Sequence, residues 1–103
     1  MDERRQLPRF PLEVSLRLML SGFNVAIPGK TRDVSAAGVF FYVDRSIAEN
    51  SEVQFTMTLP PHLTRTAAIL VRCKGTVLRV TNNADGGKTG VAASIFSYDF
   101  LPS

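Results

Sequence analysis

The sequence predicts an all-β fold, a small closed or nearly closed antiparallel barrel with a flexible N-terminal arm. Three observations carry this. Apolar residues alternate at period two in several short stretches. Turn-forming residues interrupt those stretches often. No segment combines the length and the period of a helix. Closure is expected because a ring of short strands hides edges that would otherwise pair with other chains. The 103 residues point to one small domain, and a 45% hydrophobic share is enough for one core.

Residues 1–11 fall outside the strand pattern and form the arm, with Pro8 and Pro11 stiffening it. Residues 12–103 form the barrel. In "LEVSLRLML", Leu12, Val14, Leu16, Leu18 and Leu20 share one face, opposite Glu13, Ser15 and Arg17. "SGF" reads as a turn, "NVAI" as a short strand, and "PGK" as a second turn, since Pro28 cannot donate to a ladder. "TRDV" leads into "DVSAAG", and "VFFYV" is again a strand. "DRSIAENS" is a polar connection in which Ser46 and Glu49 have capping-box spacing, enough for a single turn at most. "EVQFTMTL" alternates through Val53, Phe55, Met57 and Leu59 until "PPHL" breaks it. "AAILVRCKGTVLRV" is one long strand, or two joined by a bend at Gly75. "NNADGGK" is a hairpin loop, and "TGVAASIFSYDF" is the last strand, ending at Pro102. The total is six or seven strands.

The rest of the composition narrows the function. No apolar run is long enough to span a bilayer, and "MDERRQLPRF" has no apolar signal region. Cys73 is the only cysteine, which fits a reducing compartment. The expectation is a soluble, cytoplasmic protein without membrane insertion. His62 is a lone loop histidine beside two prolines, without a partner to make it a general base. There is no metal-ligand cluster, and "DGGKTG" lacks the spacing and the helix of a phosphate loop. The sequence therefore predicts no enzyme, metal or cofactor.

Net charge is +3, and nine of the twelve basic residues are arginine. Arginine presents a planar fork to phosphate and stacks on flat rings. Arg4, Arg5 and Arg9 lie in the arm; a solvated basic terminus is the plain alternative reading. Asp33 and Ser35 stand two apart, so they share a face if the segment stays extended. A carboxylate accepts from paired N–H donors such as guanine's N1–H and amine, while an arginine fork fits guanine's O6 and N7 or a phosphate. Gly38 lets the backbone come close. Together the two segments suit an anionic ligand that carries guanine. The plain alternatives are an Asx or Ser turn, a turn glycine at Gly38, and a surface ion pair of Asp33 with Arg32 or Arg9.

"RRQLPR" followed by "DVSAAG" resembles the PilZ domain family, whose signature is RxxxR in an N-terminal loop and [D/N]xSxxG on the barrel. Arg5 and Arg9 match the first motif, and Asp33, Ser35 and Gly38 the second. "KGTVLRV" and "TGVAASIF" resemble the family's later strands, so the likeness covers nearly the whole chain. It implies a six-stranded antiparallel barrel that binds the bacterial second messenger cyclic di-GMP. By the same resemblance the two arginines contact guanine and phosphate, and the aspartate and serine contact a guanine. Binding orders the arm, and the change signals to a partner protein or fused domain. Many members carry a helix after the last strand, where this sequence has "FLPS". Arg4, directly before the first motif arginine, resembles the case in which two intercalated ligands bind per protomer; the alternative is a solvated side chain.

Two other classes compete. An OB-like or cold-shock barrel binding nucleic acid needs aromatics on an exposed basic face, and Phe40 and Tyr42 share a face with no basic residue nearby in sequence. On this reading nucleic acid is not the expected partner. The other class is a protein-interaction barrel without nucleotide sensing.

Overall fold

The computed structural model describes residues 10–20, 26–35, 37–65 and 67–101. Its strands are β1 (Phe10–Pro11), β2 (Ser15–Leu20), β3 (Ile27–Val34), β4 (Gly38–Val43), β5 (Glu52–Leu59), β6 (Ile69–Asp85), β7 (Lys88–Ser94) and β8 (Ser97–Leu101). A single helical turn, α1 (Pro61–Thr64), follows β5. Strands β2 to β7 close a six-stranded antiparallel ring. The ring is two three-stranded meanders, β2–β3–β4 and β5–β6–β7, joined along a β2–β5 seam and a β4–β7 seam. Strands β1 and β8 are additions, pairing with β3 and β6.

Alternation builds the core as the sequence leads one to expect. Leu16 and Leu18 of β2 are buried while Ser15 and Arg17 are exposed, and β5 buries Val53, Phe55 and Met57 in turn. Phe41 meets Phe55 across the barrel with ring centroids 6.0 Å apart. Cys73 is part of this core, and burial pushes its thiol up to about 11. It therefore stays protonated and unreactive at neutral pH.

Four expectations need correction. "PGK" is not a turn: Pro28 and Gly29 continue β3, paired with Arg17 and Leu16 of β2. Pairing with β4 begins only at Gly29, so Pro28 lies beyond the end of that ladder. The arm is not wholly outside the strands, because Phe10 and Pro11 pair with Val34 and Asp33. The segment after "PPHL" is one long strand, the first of its two expected forms, but β6 runs 17 residues to Asp85 and takes in four residues expected in the hairpin loop. The last strand is two: β7 ends at Ser94, and after Ile95 and Phe96 the chain returns along the first half of β6 as β8. The hairpin between β6 and β7 turns on Gly86 and Gly87, both at positive φ, which the double glycine permits.

Gly75 makes the switch from β8 to β7 possible. Along one edge, β6 pairs with β8 up to Lys74 and with β7 from Val77. Between these ladders β7's end crosses close above Gly75, where a methyl group would lie 1.7 Å from the Ser94 carbonyl oxygen.

Thr31 fixes the root of the arm. It is buried at 1% exposure. Its hydroxyl accepts from the Val14 N–H at 2.9 Å and donates to the Leu12 carbonyl. Two backbone bonds, Thr31 N–H to Val14 O and Leu12 N–H to Arg32 O, complete the clasp. Replacing Thr31 with valine keeps the volume but removes the partner of the Val14 N–H. We expect a loss of about 1–3 kcal/mol in stability, the cost of an unsatisfied buried group. Urea denaturation checks this, and an unchanged midpoint would show that the clasp is dispensable.

Candidate functional site

The segment "TRDV" occupies the end of β3, where the ladder with β4 is irregular. Thr31 pairs with Phe41, and Asp33, not Arg32, pairs with Phe40. One extra residue is inserted, a β-bulge. Thr31 therefore faces in, Arg32 and Asp33 both face out, and Val34 packs back against the core. Simple alternation cannot produce this order.

The bulge builds a small charged and aromatic cluster on the outer wall. Arg32 Nε donates to Asp33 Oδ2 at 2.7 Å. The Arg32 guanidinium lies over the Phe40 ring, 3.9 Å from its centroid, and Phe40 meets Tyr42 edge-on at 5.4 Å. The Asp33 carboxylate holds Arg32 above its ordinary value, and a hydrogen bond with Tyr42 adds to this. Phe40 is only 7% exposed although it points away from the barrel core. The aromatic face of β4 therefore does meet a basic residue. It comes from the neighbouring strand, which the local sequence around Phe40 could not reveal.

Ser35 and Gly38 have other immediate duties. The chain leaves the strand after Val34, so Ser35 does not continue an extended face beside Asp33. Ser35 is 7% exposed, and its hydroxyl accepts from the N–H groups of Ala37 at 3.3 Å and Gly38 at 3.2 Å. Its own N–H donates to the Gly38 carbonyl at 2.8 Å. This is a serine turn linking β3 to β4. Gly38 opens β4 against β7, where an added methyl would lie 3.0 Å from the Ala93 carbonyl oxygen. The turn thus sets the height of the backbone beside Asp33. Arg4, Arg5 and Arg9 lie outside the described residues. The residue that follows Arg9 in sequence is Phe10, which pairs with Val34.

The family model of the PilZ domain matches residues 3–96. The chain belongs to the PilZ family. PilZ domains are receptor domains of the cyclic di-GMP-binding family, not enzymes. Among solved structures, this PilZ domain is similar to the Bacillus subtilis inhibitor of motility, MotI/DgrA, with a TM-score of 0.77 at 15% identity. The match covers 95% of this chain and 45% of that one, so the present chain spans less than half the length of MotI/DgrA. At that identity the likeness shows the fold alone. No curated protein matches the sequence. Among the described residues, no helix is long and apolar enough to cross a membrane, and no group of His, Cys, Asp and Glu could hold a metal ion.

Sequence reading missed three contributors to this PilZ site. The sequence offers Arg32 only as an ion-pair partner of Asp33, not as a cation stacked on Phe40. It offers Phe40 only as a strand aromatic sharing a face with Tyr42, with no basic residue nearby. Thr31 gave no signal beyond a β-branched residue in a strand. The missing signal for the first two was the bulge, which local alternation does not report.

Proposed function

We propose that this PilZ domain is a cyclic di-GMP receptor of the bacterial cytoplasm whose arm, residues 1–11, closes over the outer wall of a barrel spanning residues 12–103. Arg5 and Arg9 clamp the nucleotide through guanine and phosphate contacts. Asp33 reads a guanine edge, Ser35 supports the turn and contacts the same guanine, and Gly38 keeps the backbone low beside it. The observation that carries this reading is the pairing of β1 with Val34 and Asp33. Together with the Thr31 clasp, it sets Phe10 and Pro11, which follow Arg9 in sequence, on the same wall as Asp33. Closing of the arm alters a surface that a partner protein or fused domain reads. The exposed aromatics Phe96, Tyr98 and Phe100 support a protein as that partner.

Calorimetric titration with cyclic di-GMP, GTP and a short single-stranded oligonucleotide tests the reading. Cyclic di-GMP alone should bind. Arg5→Ala and Arg9→Ala should each weaken it by about ten- to a hundred-fold, the worth of one charge-assisted fork. The ratio should approach two nucleotides per protomer and fall towards one in Arg4→Ala. Oligonucleotide binding without cyclic di-GMP binding would favour the nucleic-acid class instead.

A further inference from the structure

Strand β8 lies outside the closed ring and presents an edge. It pairs with Leu70–Lys74 of β6, and no other strand among the described residues pairs with it. The backbone groups along its far side are therefore a template for another strand. Natural edges are commonly blunted by lysine, proline or a bulge. The five residues "SYDFL" contain neither lysine nor proline, and their ladder with β6 runs without a register shift.

The side chains of β8 fall into two sets. Tyr98 stands opposite Cys73 and Phe100 opposite Val71, both core residues, so the two rings extend the core-facing side of β6 past the barrel wall. Tyr98 is nonetheless 55% exposed and Phe100 61%, and their rings meet edge-on at 5.6 Å. On the other face, Asp99 stands opposite Arg72 and Ser97 opposite Lys74.

We propose that β8 is a dimerisation edge: it pairs antiparallel with β8 of a second copy of this chain, about a two-fold axis at Tyr98. Charge selects both the occupant and the register. An axis at Asp99 would set two carboxylates directly opposite one another, which is unfavourable. An axis at Tyr98 sets Asp99 opposite the partner's Ser97. The rung then reads Arg72, Asp99, the partner's Ser97, the partner's Lys74. Each carboxylate lies between a cation of its own chain and a lysine that reaches over a small serine, so the strand is its own electrostatic complement. On the aromatic face Tyr98 meets its copy, and each Phe100 lies diagonally within reach of the opposite tyrosine, four rings in one cluster. The contact is isologous and occupies the edge on both copies, so it closes as a dimer and does not propagate as a filament. Its size makes it reversible. At 55% and 61% exposure the two rings offer about 230 Å² per copy, taking about 200 Å² for a whole aromatic side chain, against about 800 Å² per partner in a standard interface. The proposal goes beyond the receptor reading and requires no nucleotide.

Sedimentation equilibrium without nucleotide, from micromolar to millimolar protein, tests it. The unmodified chain should pass reversibly from monomer to dimer. Tyr98→Lys should remain monomeric throughout, because it opposes two like charges at the axis. Asp99→Lys should weaken the dimer several-fold, since the change counts twice across the axis and leaves three cations on each rung. Leu78→Ser removes an equally exposed apolar side chain from the half of β6 that pairs with β7, and should dimerise as the unmodified chain does. All three positions are exposed, so circular dichroism should show the same fold in every variant. Amide exchange across residues 97–101 should slow as the unmodified chain is concentrated, a readout that needs no variant. A monomer at every concentration overturns the proposal and leaves the edge to a different protein. A dimer that persists in both β8 variants, or exchange at 97–101 that ignores concentration, also overturns it. Equal loss of the dimer in Leu78→Ser would show unspecific apolar association and overturn it too. The receptor reading is tested by nucleotide titration and stands or falls separately.

Discussion

Gly75→Ala should unfold a large part of the population. The added methyl would meet the Ser94 carbonyl oxygen at 1.7 Å, and the obstacle is backbone, not a side chain that can swing aside. Relief requires β6 and the end of β7 to separate, at the place where the Ser94 hydroxyl also joins Thr76 through its N–H and carbonyl. The expected loss is at least about 3 kcal/mol, at the upper end of overpacking costs. A domain of this size has only about 5–15 kcal/mol in total. The melting temperature should fall by about 12 °C or more. Circular dichroism melts measure this directly. A shift of no more than about 2 °C would mean that the two backbones part easily and that the strand switch is not constrained at Gly75.

Asp33→Ala should cost most of the nucleotide affinity, about ten- to a hundred-fold, while Asp33→Asn should cost much less. Asparagine keeps an acceptor oxygen for guanine. If Asp33 served only as the counter-charge of Arg32, asparagine would be as damaging as alanine. Stability without ligand should change little in either variant, because Arg32 is 53% exposed on its side of the pair and such pairs contribute little. Titrating both variants beside the parent separates base recognition from ion pairing.

Much of the barrel was legible because burial imposes a period. Leu16 and Leu18, or Val53, Phe55 and Met57, announce a half-buried strand without reference to any neighbour. The acidic motif was legible for a related reason, since its serine and glycine have a turn to make whatever ligand is bound. What escaped was everything set by a neighbouring strand. Pro28 and Gly29 look like a turn until β2 is seen pairing with them. Arg32 and Leu78 look like ordinary alternation errors until the partner ladder shows one extra residue at each. Ile95 and Phe96 look like strand residues until β8 is found on the other half of β6. The Phe40–Arg32 contact required knowing that Asp33, not Arg32, pairs with Phe40. Arg4, Arg5 and Arg9 rest on sequence alone, since they fall outside the described residues.

The division of the ring into two meanders has a thermodynamic consequence. The rung that runs from Asp33 through Phe40 and Ala92 to Arg79 crosses the β4–β7 seam, so neither meander alone holds both of its ends. A ligand that touched both sides of that seam would bind only the closed ring and stabilise it by mass action, by about 2.7 kcal/mol at a hundredfold excess over its dissociation constant. Seam pairings are distant in sequence and costly to form by loop closure. A nucleotide lying across the seam would act as a reversible cross-link between the two halves. The concentration of the messenger would then set the lifetime of the folded receptor as well as its signalling state.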